Sequence, residues 1–259
     1  MRIATWNVNS VRQRLDHLLR YLREAAPDVL CLQEIKCLDE AFPRAEIEAA
    51  GYNVETHGQK TFNGVAILSR RPMQIARGLP GDERDEQARY IEAVIDDGAG
   101  GALRVASIYA PNGNPVGTEK FAYKLAFLER LIAHARELLA LEERFVLAGD
   151  YNIIPTPLDA KRPQDWTGDA LFQPESVAAF RALSNLGLVD ALRALRPEAG
   201  LYTFWDYQAG AWQKDNGIRI DHLMLSPEAA DRLSDAAVDR HVRGWDKPSD
   251  HIPVRIDLA

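Results

Sequence analysis

Short continuous apolar runs alternate along this chain with amphipathic stretches. Strand-length runs rich in Val, Ile, Leu and aromatics fall at 2–7, 28–33, 64–69, 90–95, 103–109, 145–150, 219–225 and 252–258. Between some of them apolar residues recur every three or four positions. Val11, Leu15, Leu18, Leu19 and Leu22 predict one helix that Pro27 helps to close; Phe121, Leu125, Leu128, Leu131 and Ile132 predict a longer one over about 118–140; Val177, Phe180, Leu183 and Leu186 mark a third. Runs 90–95 and 103–109 are separated only by Asp96-Asp-Gly-Ala-Gly-Gly101, so they read as an antiparallel hairpin and the sheets as mixed. Many strands share few helices. An α/β fold is therefore expected, with two mixed sheets packed face to face and helices outside. Long polar stretches at 78–88, 111–117, 154–175 and 206–217 are expected to be surface loops with functional potential.

The ends of the apolar runs carry the chemistry. Ile3-Ala-Thr-Trp-Asn7-Val-Asn9, Val29-Leu-Cys-Leu-Gln33-Glu34, Val105-Ala-Ser-Ile-Tyr109-Ala-Pro-Asn112, Arg144-Phe-Val-Leu-Ala-Gly-Asp150-Tyr-Asn152 and Ile218-Arg-Ile-Asp221 each finish on reactive or hydrogen-bonding side chains, and Ser249-Asp250-His251 opens the last run. One edge of a packed sheet core is expected to gather Asn7, Glu34, Tyr109, Asp150, Asn152, Asp221, Asp250 and His251 into a single acidic site. Residues 7 and 251 must then meet, which favours one domain over 1–259.

Composition narrows the class. With 46% apolar and 27% charged residues, a substantial core is available. No apolar run approaches the roughly 18 to 20 residues that span a bilayer, and the N-terminus begins as a strand, so a cytoplasmic enzyme without a membrane partner is expected. Cys31 and Cys37 are too few for a disulfide framework or a zinc cluster, and Cys31 lies in an apolar run. The net charge of −7 argues against coating nucleic acid by charge alone, since phosphate affinity comes mainly from Lys and Arg. It leaves room for a nuclease with a local basic face, for which Lys36, Lys60, Arg70, Arg71, Arg89, Lys120, Lys161, Arg162, Arg219 and Lys247 are candidates.

Mg²⁺ takes oxygen ligands and usually only one or two protein carboxylates. Glu34 is the first candidate, with Lys36 just beyond to meet a phosphate. Asp250 is a second, directly or through water. His251 is the candidate proton-transfer group or transition-state donor. Successive side chains diverge, so its ring needs a carboxylate from another strand, and Asp221 supplies one. Asp150 and Asn152, two apart on a segment expected to be extended, would face the same side and hold a water and a phosphate oxygen; read alone, such a strand end is an Asx turn. Tyr109 offers its phenol to a phosphate or to a core hydrogen bond. No phosphate-binding Gly-x-x-x-x-Gly-Lys-Ser/Thr loop, Gly-x-Ser-x-Gly elbow or His-Glu-x-x-His helix is present. Metal-assisted attack of water on a phosphodiester fits what remains.

At these residues the chain resembles the exonuclease III family of apurinic/apyrimidinic endonucleases, within the endonuclease/exonuclease/phosphatase superfamily. The likeness runs nearly end to end, through Trp6-Asn-Val-Asn-Ser10, Leu32-Gln-Glu-Ile-Lys-Cys37, Asn63-Gly-Val-Ala-Ile67, Tyr109-Ala-Pro-Asn112, Gly149-Asp-Tyr-Asn152, Thr203-Phe-Trp-Asp-Tyr207, Arg219-Ile-Asp221 and Pro248-Ser-Asp-His251. It implies a four-layer α/β sandwich and a Mg²⁺-dependent repair nuclease, with Mn²⁺ as a substitute ion, that incises 5′ to abasic sites and trims 3′ ends of duplex DNA as a monomer. It places a metal at Glu34 assisted by Asp250, a His251–Asp221 pair at the scissile phosphate, and Asn7, Tyr109 and Asn152 as phosphate, water or metal ligands. Asp150 is left as base, as acid to the leaving oxygen, or as second-metal ligand. For a flipped baseless sugar it implies an apolar pocket from Phe204, Trp205, Ile218 and Ile220, and for groove contacts Lys60, Arg89, Asn112 and Lys120. Some relatives carry Trp where Ile218 stands and Asp where Asn9 stands. A phosphatase or RNase of the same fold, or an inactive nucleic-acid-binding homologue, are the alternatives; the Thr203–Tyr207 block and the intact acidic set weigh against them.

Overall fold

The apolar runs become strands buried on both faces. In a computed structural model that describes residues 1–98 and 100–259, the described strands are β1 (Arg2–Asn7), β2 (Val29–Gln33), β3 (Asn53–His57), β4 (Val65–Ser69), β5 (Met73–Arg77), β6 (Tyr90–Asp96), β7 (Ala102–Tyr109), β8 (Phe145–Asp150), β9 (Val189–Asp190), β10 (Asp221–Leu225), β11 (Leu233–Val238) and β12 (Val254–Leu258). They form two six-stranded mixed sheets, ordered β11-β12-β1-β2-β4-β3 and β5-β6-β7-β8-β10-β9. The α-helices are α1 (Leu15–Glu24), α2 (Arg44–Ala49), α3 (Glu119–Leu139), α4 (Pro174–Asn185), α5 (Ala191–Leu195) and α6 (Pro227–Ala230). No helix among the described residues is long and apolar enough to cross a membrane.

Strand alternation divides the burial. In β2, Val29 and Cys31 join the core between the sheets, where Ile3, Val65 and Ile67 meet Ile91, Val105, Val146 and Leu223. Leu30 and Leu32 of the same strand face the other way, onto a cluster holding Leu18, Tyr21 and Leu22 of α1 and Ile47 of α2. On the far side of the second sheet, Ile108 and Leu147 pack against Phe127, Leu128 and Leu131 of α3 and Phe180 and Leu183 of α4. Helices, sheet, sheet and helices thus make four layers. Each such Leu, Ile or Phe contributes roughly 1.5–3 kcal/mol by leaving water. Toward one end the space between the sheets turns polar: Gln33 Nε2 donates to Thr5 Oγ1 (3.0 Å) and to Ser107 Oγ (2.9 Å), tying one sheet to the other.

Two expectations change. The first helix starts at Leu15, with Val11 buried in the turn before it. Four strands carried no apolar run: β3, β5, β9 and β11. They are the four sheet edges, and their residues are mostly half-exposed, so no continuous apolar run is required of them.

The β7–β8 pairing is unusually close at Gly149, whose φ is +153° and where an added Cβ would lie 2.0 Å from the Ile108 carbonyl oxygen. Gly149→Ala is expected to lower folding stability by about 3 kcal/mol or more, read by thermal or urea unfolding, because backbone must move to admit the methyl group. An unchanged melting temperature would contradict this packing.

Candidate active site

Strand register delivers the functional side chains to one crevice. β1 and β2 are parallel with Asn7 opposite Gln33, so Glu34 emerges one residue beyond. In the other sheet, parallel β7 and β8 place Tyr109 opposite Asp150, and antiparallel β10 places Asp221 opposite Asp150. Tyr109, Asp150 and Asp221 therefore form one transverse row, at the carboxyl ends of parallel strands where α/β sheets open crevices. The chain leaves these strands through left-handed residues that are not glycine: Asn9 (φ 44°), Glu34 (50°), Lys36 (53°) and Asn152 (50°). Each such conformation costs about 1–3 kcal/mol and persists only where its surroundings impose it.

One amide joins the two sheets here. Asn7 Nδ2 donates to Glu34 Oε1 at 2.8 Å and to Asp150 Oδ2 at 2.9 Å. The other Asp150 oxygen accepts from the Asn152 backbone N–H at 2.9 Å. Across from them, Nδ1 of His251 lies 2.8 Å from Asp221 Oδ2, and its Nε2 lies 3.7 Å from Asp150 Oδ2. Thr203 Oγ1 donates to Asp221 Oδ2 at 2.6 Å, and Trp6 Nε1 donates to the His251 carbonyl. The Asp221 pairing leaves Nε2 as the nitrogen facing the crevice. Asp250 stands one link farther out, accepting from Asn9 Nδ2 at 3.0 Å, while Lys36 Nζ bridges Asn9 Oδ1 (2.5 Å) and Glu34 Oε2 (2.8 Å).

Charge and burial set the protonation states. Burial pushes the Asp150 carboxyl up, Asp221 adds to the push, and His251 opposes it, leaving Asp150 at about 7. Burial alone would lower the His251 ring; the Asp221 and Asp150 carboxylates outweigh it and raise the ring to about 10. Burial likewise favours a neutral Glu34, but the Lys36 ammonium and Asn7 amide, with His251, hold it below the usual carboxylate range. Tyr109 is kept a phenol by burial and by the Glu34 and Asp150 carboxylates.

The donors suit a hard divalent cation. One ligand atom from each of Glu34, Asp150 and His251 lies within 4.8 Å of the other two. Asp221 Oδ1 is buried without a hydrogen-bond partner, a further acceptor beside this group. Glu34 is the ionised carboxylate of the set. Oxygen ligands of this kind fit Mg²⁺ or Mn²⁺ better than a soft metal.

Basic and apolar surfaces flank the group. Arg89, Asn112 and Lys120 line a cleft of about 570 Å³ that begins at Tyr109, with the Arg89 guanidinium 4.9 Å from the Tyr109 ring centroid. Lys60 lies in a second hollow of about 500 Å³ with Lys36 and Arg12. Phe204 packs edge-on against the His251 ring at 5.0 Å, and it shares an apolar cluster with Ile218, Ile220, Trp166 and Phe172.

Several expectations are corrected. Asn152 is not on an extended segment: its left-handed backbone forms the Asx-type turn, its Nδ2 donates to the Ala110 carbonyl, and its Oδ1 accepts from Asn112. Trp205 does not line the apolar pocket; it is fully buried behind it, against Trp212 and Tyr202, with Nε1 on Asp215. Arg219 is no surface cation, being buried between Asp159 (2.6 Å) and Asp190 (2.8 Å). Arg70 and Arg71 follow Ser69, which pairs with Val29 at the opposite end of β2 from Glu34, so they lie away from the site. Sequence reasoning missed Thr203, Trp166 and Lys124. Thr203 stood inside a quoted motif without a role, and Lys124 sits on the apolar face of α3, where a charged residue breaking the stripe was the available signal. Burial lowers the Lys124 ammonium to about 7.

Comparison with known proteins extends the likeness. The model of the endonuclease/exonuclease/phosphatase family matches residues 4–251. Exodeoxyribonuclease III of Haemophilus influenzae is 36% identical over 263 residues, covering 98% of each chain. A 3′ phosphatase from Neisseria, solved bound to a product DNA hairpin, superposes with a TM-score of 0.95 at 37% identity, over 100% of this chain and 99% of that one. An AP endonuclease from Archaeoglobus fulgidus superposes with a TM-score of 0.93 at 36% identity, again over 100% and 99%.

The His251 ring should titrate far above the ordinary imidazole value of about 6.5. Its stabilising contribution is then complete below that value and is lost as pH rises through about 10. Histidine NMR titration of the metal-free protein should find this ring protonated at pH 8. Asp221→Asn should return it toward neutrality at that pH, and a ring already neutral at pH 8 without the substitution would refute the assignment.

Proposed function

The chain belongs to the endonuclease/exonuclease/phosphatase family, and we propose that it is a Mg²⁺-dependent DNA-repair phosphodiesterase that incises duplex DNA 5′ to abasic sites and removes nucleotides or blocking groups from 3′ ends. One observation carries this reading: ligand atoms of Glu34, Asp150 and His251 converge within 4.8 Å of one another, beside two hollows lined by basic side chains. Glu34 would hold the cation, with Asp250 close enough through Asn9 to assist, while the Asn7 side-chain amide and the Asn152 backbone N–H fix the neighbouring Asp150 carboxylate. Bound there, Mg²⁺, or Mn²⁺ in its place, supplies Lewis-acid stabilisation of charge developing on the phosphate.

The remaining steps fall to the chain's own residues. His251 Nε2–H, fixed in orientation by Asp221 on Nδ1, donates to a non-bridging phosphate oxygen and strengthens as negative charge accumulates. Asp150 accepts the proton of the attacking water; both its oxygens are positioned by Asn7 and the Asn152 N–H, and a value near neutrality suits a group that must gain and lose a proton. The Tyr109 phenol, kept protonated, donates to a phosphate oxygen from the opposite side. Phe204 forms the apolar wall beside His251 against which a baseless sugar would lie, over Ile218 and Ile220. Arg89, Asn112 and Lys120 would follow the DNA backbone along one side, with Lys60 and Lys36 on the other.

A duplex with a single abasic analogue, incubated with protein and Mg²⁺ or with EDTA and resolved on a denaturing gel, should be cut only with the metal. Absence of metal-dependent incision or 3′ trimming would overturn the proposal. Asp150→Asn and His251→Asn should each lower kcat by about a hundredfold or more with duplex affinity changed by only a few fold, since both groups act on the transition state. An equal loss of binding would assign them to substrate recognition instead.

A further inference from the structure

Lys124 lies on the inward face of α3, entirely shielded from solvent, among Phe121, Phe127, Leu128 and Leu131. An apolar residue would fill that stripe without burying a charge, which is costly unless every proton is satisfied. Here three main-chain carbonyls meet the ammonium: Asn112 O at 3.1 Å, Asn152 O at 2.6 Å and Ala170 O at 3.2 Å. In its protonated form the group donates all three of its protons to them.

The three carbonyls come from three different loops. The first follows β7 and carries Asn112, three residues after Tyr109. The second follows β8 and carries Asn152, two residues after Asp150. The third leads into Leu171 and Phe172 of the apolar cluster beside Phe204. The chain makes room for the lysine at Gly113, where an added Cβ would lie 2.6 Å from Lys124 Cδ. A second tie runs parallel to it: Asn114 Nδ2 donates to Asp169 Oδ1, and Asn114 Oδ1 accepts from the Ala170 N–H. Ser176 Oγ adds a further bond to the Ala170 carbonyl.

We propose that Lys124 is a positioning residue for phosphodiester hydrolysis, its buried ammonium clamping the loops after β7 and β8 and the Ala170 turn so that Tyr109 and Asp150, the latter held by the Asn152 N–H, address one phosphate. This rests on the nuclease reading above. The lysine touches no substrate and acts through the carbonyls it holds. Small displacements of such loops are enough to cost catalysis, because the reacting groups must be held to within a fraction of an ångström.

Lys124→Met keeps the length of the side chain and removes the donors. The folded variant should show kcat lowered about tenfold to a hundredfold with KM for duplex DNA within about threefold. Hydrogen exchange should rise at 110–114, 150–154 and 169–172 and stay unchanged in β1 and β2. Aminoethylation of Lys124→Cys, carried out unfolded in a Cys31→Ala, Cys37→Ser background and followed by refolding, restores an ammonium and should restore kcat. Asn114→Ala, on a half-buried loop where folding is not at risk, should lower kcat several-fold by loosening the same clamp. Unchanged kcat in either Lys124→Met or Asn114→Ala, exchange that rises uniformly through both sheets, or loss of kcat that the restored ammonium leaves unrepaired would overturn the assignment. Wild-type incision is measured alongside. Its absence would count against the proposed function, while the exchange pattern still decides for or against the clamp.

Discussion

Everything at this site depends on holding carboxylates from two different sheets closer together than they would choose to be. The Asn7 amide is the device: one NH₂ group gives one proton to Glu34 and the other to Asp150, spanning the seam between the sheets. An amide suits the task because it donates two hydrogen bonds without adding a charge of its own. The excess negative charge is then met locally, by Lys36 at Glu34 and by the His251 ring between Asp150 and Asp221. Without those cations the cluster would have to take up protons, and the distinction between an ionised Glu34 and a near-neutral Asp150 would disappear.

That arrangement is possible because the sheets are already locked together just behind it. Gln33, the last residue of β2, reaches across to Ser107 of β7, and Ser107 Oγ donates back to the Leu32 carbonyl. Below this level the space between the sheets is filled by Ile, Val and Leu. The interface thus passes from apolar packing to directional hydrogen bonds to reactive groups over a few residues of each strand. Apolar packing supplies affinity between the layers but tolerates sliding; the Gln33–Ser107 contact fixes how the sheets sit against each other, so that Asn7 and Glu34 meet the row of Tyr109, Asp150 and Asp221 that strand pairing sets in the second sheet.

The legible part of the sequence was the part buried on two sides. Interior strands such as Val29–Gln33 and Phe145–Asp150 must be apolar at every position, so they stand out as unbroken runs, and their polar ends mark the site. Edge strands such as Asn53–His57 and Leu233–Val238 pack on fewer neighbours and tolerate polar residues, and no run betrayed them. Side chains whose role depends on a bend were harder still. The direction of Asn152 follows from a left-handed backbone that period-two alternation does not describe. Trp205 and Phe204 are adjacent and aromatic, yet the strand-like alternation there sends one into the core and the other toward His251. Lys124 could be seen as an interruption of an apolar stripe, but its three acceptors are backbone carbonyls, which no side-chain pattern reports.

The pairing of β12 with β1 ties the charge balance of the site to distant parts of the sequence. His251 is carried into the crevice by the segment that leads into β12, and its backbone carbonyl accepts from Trp6 of β1. Glu34 follows β2 and Asp150 ends β8, but the imidazole is brought beside Asp221 by the segment entering β12, the strand paired with β1. Trp6 and His251 stand 245 positions apart, so the imidazole beside the two carboxylates is supplied across nearly the whole length of the sequence.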